Sequence, residues 1–276
     1  MTQLALKTSH GRIAVRETEG AGPAVLLIHG NSSSSGVFKH IMSGALGERY
    51  HMIAPDLPGH GASSDAIDPV RSYNMPGYAE AMVEVLEARE VGEVIVFGWS
   101  LGGHIGLEMI SRFPGMMGLM ITGTPPVSIS QLTQGFRPSP HMNLAGQQDF
   151  TEQDVENYAR ATCGEPFEAF MREGVARTDG RARRLMFESF ASGFGDDQSM
   201  IVATAKIPLA VVNGADEPFV NTEFVANLAY ANLWEGECHL INNSGHAPFW
   251  DSPDKFNAIL ARFLDDVASG KSTSSE

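Results

Sequence analysis

Short apolar runs recur along this chain, and each stops at a glycine, an aspartate or an asparagine. They fall at 24–30, 51–56, 94–98, 119–123, 209–214 and 238–242. Runs of this length, rich in Val, Ile and Leu and closed by turn formers, predict buried strands. Between them the apolar positions shift to helical spacing, at 77–89 with Met82, Val83 and Leu86 on one side, and then at 101–113, 222–230 and 253–267. Alternation of strand and helix predicts a mostly parallel sheet with helices on both faces.

The alternation stops after Gly123. Thr124, Pro125 and Pro126 open a long segment with no convincing strand before Ile207. Inside it 152–162, 167–176 and 181–191 read as helices, and the Gly- and Pro-containing stretch 135–140 reads as a loop. The expected organisation is a core built from 1–124 and 207–268, a helical cap inserted at 125–206, and a tail at 269–276. That tail is small and polar, too poor in apolar residues to offset its ordering entropy, so disorder is expected there.

Bulk properties narrow the partners. With 276 residues, 43% of them hydrophobic, the chain can bury one substantial core. A formal net charge of -14 repels phosphate backbones and anionic lipid surfaces, which leaves a small molecule as the expected partner and argues against nucleic acid and membrane. The longest apolar stretch near the start, 24–28, is far too short to span a bilayer, and no basic segment followed by an apolar one opens the chain. Cys163 and Cys238, widely separated, are expected as free thiols in a reducing compartment, and the cytoplasm is the expected location. Oligomeric state has no signature in the sequence.

The chemistry centres on Gly98-Trp99-Ser100-Leu101-Gly102. A G-x-S-x-G match alone is weak, but this one sits between a predicted strand and a predicted helix, where a sharp turn would lift Ser100 out of the backbone. Small residues at 98 and 102 would let strand and helix pack closely. Leu101 then offers a main-chain N–H at a helix N-terminus, suited to a developing oxyanion. A second donor is expected from the loop His29-Gly30-Asn31-Ser32 after the first run, with the Asn31 N–H as candidate. A serine hydroxyl needs a base, and the base needs an orienting acid. His246 follows the last predicted strand on a loop, in the chain order Ser, acid, His. His10, His29, His40, His51, His60, His104, His141 and His239 are expected in structural or surface roles, with His104, one turn past Ser100, the main competitor. The acid is expected after 209–213, where Asp216 and Glu217 are both available.

Taken together, His29-Gly30, the run from Asp56 to Gly61, the run from Gly98 to Gly103, the run from Gly214 to Val220, and Ser244-Gly245-His246 resemble the α/β-hydrolase superfamily along nearly the whole chain. In that superfamily the acid typically lies three residues after the glycine, which on this chain is Glu217 and not Asp216, although Asp is commoner there. The chain is more closely similar to the metal-independent N-acyl-homoserine lactonases of this fold. Gly30 to Ser34, Phe97 to His104, Thr122 to Val127, Tyr158, Cys163 to Glu168 and Asn213 to Val220 carry that likeness. The resemblance implies a triad of Ser100, Glu217 and His246, an oxyanion hole from Asn31 and Leu101, and ligand contacts from Asn31, Trp99 and Tyr158. It implies an acylated lactone as substrate, and neither cofactor nor metal. No H-x-H-x-D-H or H-E-x-x-H cluster occurs. Ser100 stands where haloalkane dehalogenases carry Asp. A carboxylesterase acting on acyl methyl esters is the rival enzyme, and a small-molecule receptor of the same fold is the alternative outside enzymes. Phe136, Met142, Phe150, Phe167, Phe170, Met171, Met186, Phe187 and Phe190 are candidates for an acyl-chain tunnel, most of them expected to pack the cap against itself.

Overall fold

In the computed structural model, which describes residues 1–270, eight strands form one sheet: β1 (Thr2–Thr8), β2 (Gly11–Glu17), β3 (Gly22–Ile28), β4 (Tyr50–Pro55), β5 (Val94–Trp99), β6 (Met116–Thr122), β7 (Leu209–Gly214) and β8 (His239–Ile241). Their order is β1-β2-β4-β3-β5-β6-β7-β8, with β3 through β8 parallel to one another and β2 antiparallel to both β1 and β4. The parallel part is the sheet that the apolar runs predict. The antiparallel hairpin is not announced by such runs, because the apolar stretch of β2 is only Ile13 to Val15, set between Arg12 and Arg16.

Central strands feed two cores at once. Leu26, Ile28, Val94, Val96, Leu119 and Ile121 belong to one, while Val25, Leu27, Ile95, Phe97 and Met120 belong to the other. Side chains alternate across a strand, so a run with no polar break can be buried only if both faces are covered. On the first face lie α1 (Met75–Ala88), through Tyr78, Met82, Val85 and Leu86, and α2 (Leu101–Met109), through Ile105 and Leu107. α1 starts at Asn74, whose side chain caps the Gly77 N–H at 2.8 Å. Phe256, Leu260, Phe263, Leu264 and Val267 of the long terminal helix, Pro253–Ala268, cover the second face.

Between β6 and β7 the chain forms no strand and carries α3 (Glu152–Cys163), α4 (Ala169–Arg177), α5 (Gly180–Ala191) and α6 (Gln198–Thr204). The first three fall where the helical spacing places them; α6 is short and was not legible. α3 opens with a capping box, in which Thr151 receives the Asp154 N–H at 3.2 Å and Asp154 receives the Thr151 N–H at 2.9 Å. Val155, Tyr158, Ala159 and Val175 make a small core of their own there, separate from the two that flank the sheet. Of the tail expected at 269–276, Ser269 and Gly270 close the terminal helix onto Asp265 and Val267, and 271–276 lie outside the described residues. Among the described residues no helix is long and apolar enough to cross a membrane.

Candidate active site

Where β5 ends, the backbone turns into α2 within a single residue. Ser100 occupies that turn at φ 55° and ψ -118°, a left-handed conformation that costs a non-glycine residue free energy. Its neighbours hold it there. The Ser100 N–H donates to the Thr122 carbonyl at 2.8 Å, and the Ser100 carbonyl accepts from the Gly103 N–H at 2.9 Å and the Thr124 hydroxyl at 2.8 Å. The glycines are required by approach distance: a Cβ at Gly98 would stand 2.3 Å from the Gly102 carbonyl oxygen, and one at Gly102 would stand 2.0 Å from that of Ile28. This is the close strand-to-helix packing that the motif needs.

His246 sits on the loop after β8, nearly buried. Its Nδ1 lies 2.8 Å from Glu217 Oε2 and 3.0 Å from Oε1. Glu217 Oε1 also accepts the Phe219 N–H at 2.8 Å, so the carboxylate is fixed by its own loop. Asp216 points to solvent, and its N–H donates to the Ser244 carbonyl at 2.9 Å. Phe219 packs edge-on against the imidazole at 4.9 Å between centroids. A Cβ at Gly123, itself at φ +63°, would come within 2.6 Å of the same ring. The His246 loop is further tied by Asp251, which accepts the Gly245 N–H at 2.8 Å and the Glu165 N–H at 3.2 Å.

Asn31 and Leu101 flank Ser100. Among the described residues neither main-chain N–H has an acceptor within the protein, which leaves both free for a ligand oxygen. The Asn31 side chain donates to the Tyr158 hydroxyl at 3.3 Å and to the Ala145 carbonyl at 2.9 Å, and so reaches across to the helical segment. Burial raises the Tyr158 phenol well above its ordinary pKa and keeps it neutral. Arg183 was missed in the sequence. It is 4% exposed, donates to the carbonyls of Gln147 at 2.9 Å and Gln148 at 3.0 Å and to the Ser32 hydroxyl at 3.3 Å, and stacks on Phe150. It thereby ties α5 to the loop that carries Asn31. A lone arginine on a helical stretch gives no sequence signal for that role, because its partners are main-chain carbonyls distant along the chain.

A cavity of about 380 Å³ opens over Ser100, and Asn31, Leu101, Tyr158 and His246 line it. Of the apolar tunnel candidates, Phe136, Met142, Met186, Phe187 and Phe190 are in its wall. Phe150 packs on Tyr158, Phe170 on Trp250, and Phe167 and Met171 on the core. Trp99, which the resemblance gives as a ligand contact, is absent from the wall. Its indole is 1% exposed, donates to the His246 carbonyl at 2.9 Å and packs against His246 and Phe249, a position from which it supports the His246 loop. His29 is also internal, bonded to the Gly30 carbonyl at 2.8 Å and receiving the Leu57 N–H at 3.0 Å. Glu235, Glu237 and His239 are grouped closely enough to hold a cation, but none lines the cavity, and Arg262 already lies 3.0 Å from Glu235.

A solved N-acyl homoserine lactonase, AidH complexed with N-butanoyl homoserine, is 60% identical with a TM-score of 0.96, over 97% of this chain and 97% of that one. A variant of that lactonase complexed with N-hexanoyl homoserine lactone is 59% identical with the same TM-score, over 97% of this chain and 98% of the other. A pimeloyl-[acyl-carrier protein] methyl ester esterase from Nitrosomonas europaea is 26% identical, over 87% of this chain and 95% of the esterase. Residues 25–259 match the model of the Alpha/beta hydrolase family, and the chain belongs to that family.

Proposed function

We propose that this hydrolase opens the ring of N-acyl-homoserine lactones through an acyl-enzyme on Ser100, with His246 as base and Glu217 as its orienting acid. The observation that carries the proposal is the 60% identity to a lactonase over almost the full length of both chains, joined to a cavity in which Ser100, His246, Asn31 and Tyr158 meet. Residues 125–206 act as the cap over a core of 1–124 and 207–268, and the cap supplies Tyr158 and the apolar wall for the acyl chain. The proposed setting is the cytoplasm, in keeping with the free thiols of Cys163 and Cys238.

In the proposed reaction His246 Nε2 takes the Ser100 proton as Oγ attacks the lactone carbonyl. The oxyanion is received by the N–H groups of Asn31 and Leu101. Collapse breaks the ring C–O bond, His246 protonates the departing alkoxide, and a water activated by the same imidazole then hydrolyses the acyl-enzyme. The products are the N-acyl-homoserine and free Ser100.

Mass spectrometry of the products from a panel of acyl-homoserine lactones tests this. Addition of one water with no acyl loss is expected, unchanged after exhaustive dialysis against a chelator. Release of free fatty acid would make the enzyme an acylase, and turnover only of methyl esters of equal chain length would return the esterase reading that the Nitrosomonas relative favours.

Tyr158→Phe removes a hydroxyl that meets the Asn31 amide but leaves the ring packed on Phe150. It is expected to lower kcat/KM for acyl-homoserine lactones by roughly three- to tenfold, the scale of one hydrogen bond, with a smaller loss on p-nitrophenyl acetate. Equal losses on both substrates would reduce Tyr158 to a packing residue.

A further inference from the structure

His104 lies one turn beyond Ser100 on α2, in the wall of the same cavity, between Phe190 at 4.9 Å and Phe136 at 6.2 Å between centroids. An imidazole among phenylalanines presents a polar atom in an otherwise apolar stretch, and the character of that atom can be worked out. Gln198, 1% exposed at the start of α6, places its Oε1 2.6 Å from His104 Nδ1. The orientation of this amide is fixed, because its Nε2 faces the His104 carbonyl at 3.4 Å, a group that can only accept. Oε1 can only accept as well, so the shared proton belongs to Nδ1. Burial holds the imidazole pKa down to about 4, so the ring is neutral at physiological pH and Nε2 carries a bare lone pair. Nε2 has no protein partner among the described residues and is not sealed off.

We infer that His104 is a specificity-determining residue that accepts a hydrogen bond from a hydroxyl on the acyl chain, so the enzyme prefers 3-hydroxyacyl over unsubstituted and 3-oxoacyl substrates. The inference rests on the lactonase reading above. A hydroxyl donates to the lone pair of Nε2 and satisfies an acceptor that an unsubstituted chain leaves without a partner. A 3-oxo group brings a second acceptor against the first, and two acceptors repel. A site that holds a polar group ready for a substrate hydroxyl discriminates against analogues without it.

The test is kcat/KM for 3-hydroxy, unsubstituted and 3-oxo acyl-homoserine lactones of one chain length, measured on the native enzyme, on His104→Phe and on Gln198→Leu. For the native enzyme the order hydroxy, unsubstituted, oxo is expected, with roughly three- to tenfold at each step, the scale of one hydrogen bond gained or lost. In His104→Phe the three values converge. In Gln198→Leu the imidazole is retained, but its tautomer is released, so the hydroxy-to-oxo ratio falls toward one; a packing role for His104 would leave that ratio unmoved. Native values that are equal, or a native ratio that survives His104→Phe, overturn the inference and leave the lactonase reading intact. Failure of all three lactones to open, with p-nitrophenyl acetate still hydrolysed, overturns both.

Discussion

Ser100→Ala is expected to cut turnover of an acyl-homoserine lactone by roughly four to six orders of magnitude while the protein stays folded. In the proposed mechanism the loss is large because the deletion removes the atom that forms the acyl-enzyme, and His246 and Glu217 have no nucleophile to serve without it. The residual rate is what free amides at Asn31 and Leu101 and the cavity can give to attack by water. The fold is expected to survive because the turn at 100 is held by main-chain bonds, from its N–H to Thr122 and to its carbonyl from Gly103 and Thr124, none of which uses the hydroxyl. Alanine has the same β-carbon as serine and meets the same cost at positive φ. Steady-state and single-turnover rates, with a thermal melt on the same preparation, check both halves. A variant that keeps even a tenth of the native turnover would remove Ser100 from the chemistry.

The parallel sheet was legible because its strands are buried on both faces and so cannot carry polar residues at alternate positions. The hairpin of β1 and β2 was harder to read, since each half-exposed strand of seven residues offers only three apolar residues in a row, Leu4 to Leu6 or Ile13 to Val15, between polar ones. In the site, what could be read was what is local. The elbow needs glycine at 98 and 102 for contacts within a few residues and with the neighbouring strand, and those glycines stand in the sequence. Contacts that join Asn31 to Tyr158, Arg183 to Ser32, or His104 to Gln198 link residues 127, 151 and 94 positions apart. Each of these side chains fits a surface helix or loop equally well when its partner is unknown. Trp99 shows the converse. The resemblance implies a ligand contact there, yet strand alternation turns the indole away from the cavity and under His246.

Glu217→Gln is expected to lower turnover by at least roughly a hundredfold, within the range of losses caused by a catalytic histidine held in the wrong tautomer, and the surroundings of the carboxylate give the reason. Oε1 accepts the Phe219 N–H at 2.8 Å and the Val220 N–H at 3.4 Å, so in the amide the remaining oxygen is held on that side. The new NH2 group then takes the place of Oε2, the nearer atom at 2.8 Å from His246 Nδ1, and the only acceptor left to that nitrogen is Oε1 at 3.0 Å, already shared with two main-chain N–H groups. A donor there favours the imidazole with Nδ1 bare and its proton on Nε2, the nitrogen that has to receive the proton of Ser100. The base is thus blocked although every atom of the site stays near its place. A lactone makes the fault more serious than an open-chain ester does, because the alkoxide released from Ser100 attack remains tethered and re-closes the ring unless His246 protonates it promptly. Asp216→Asn alters an exposed side chain whose residue is held through its main-chain N–H on Ser244, and its effect is expected to stay below about tenfold, as surface substitutions away from the reacting groups do. Rates for the two variants, measured beside each other on one lactone and on p-nitrophenyl acetate, decide between the carboxylates. A nearly inactive Asp216 variant with an active Glu217 variant would mean that the loop rearranges in the working enzyme and presents its other acid to His246.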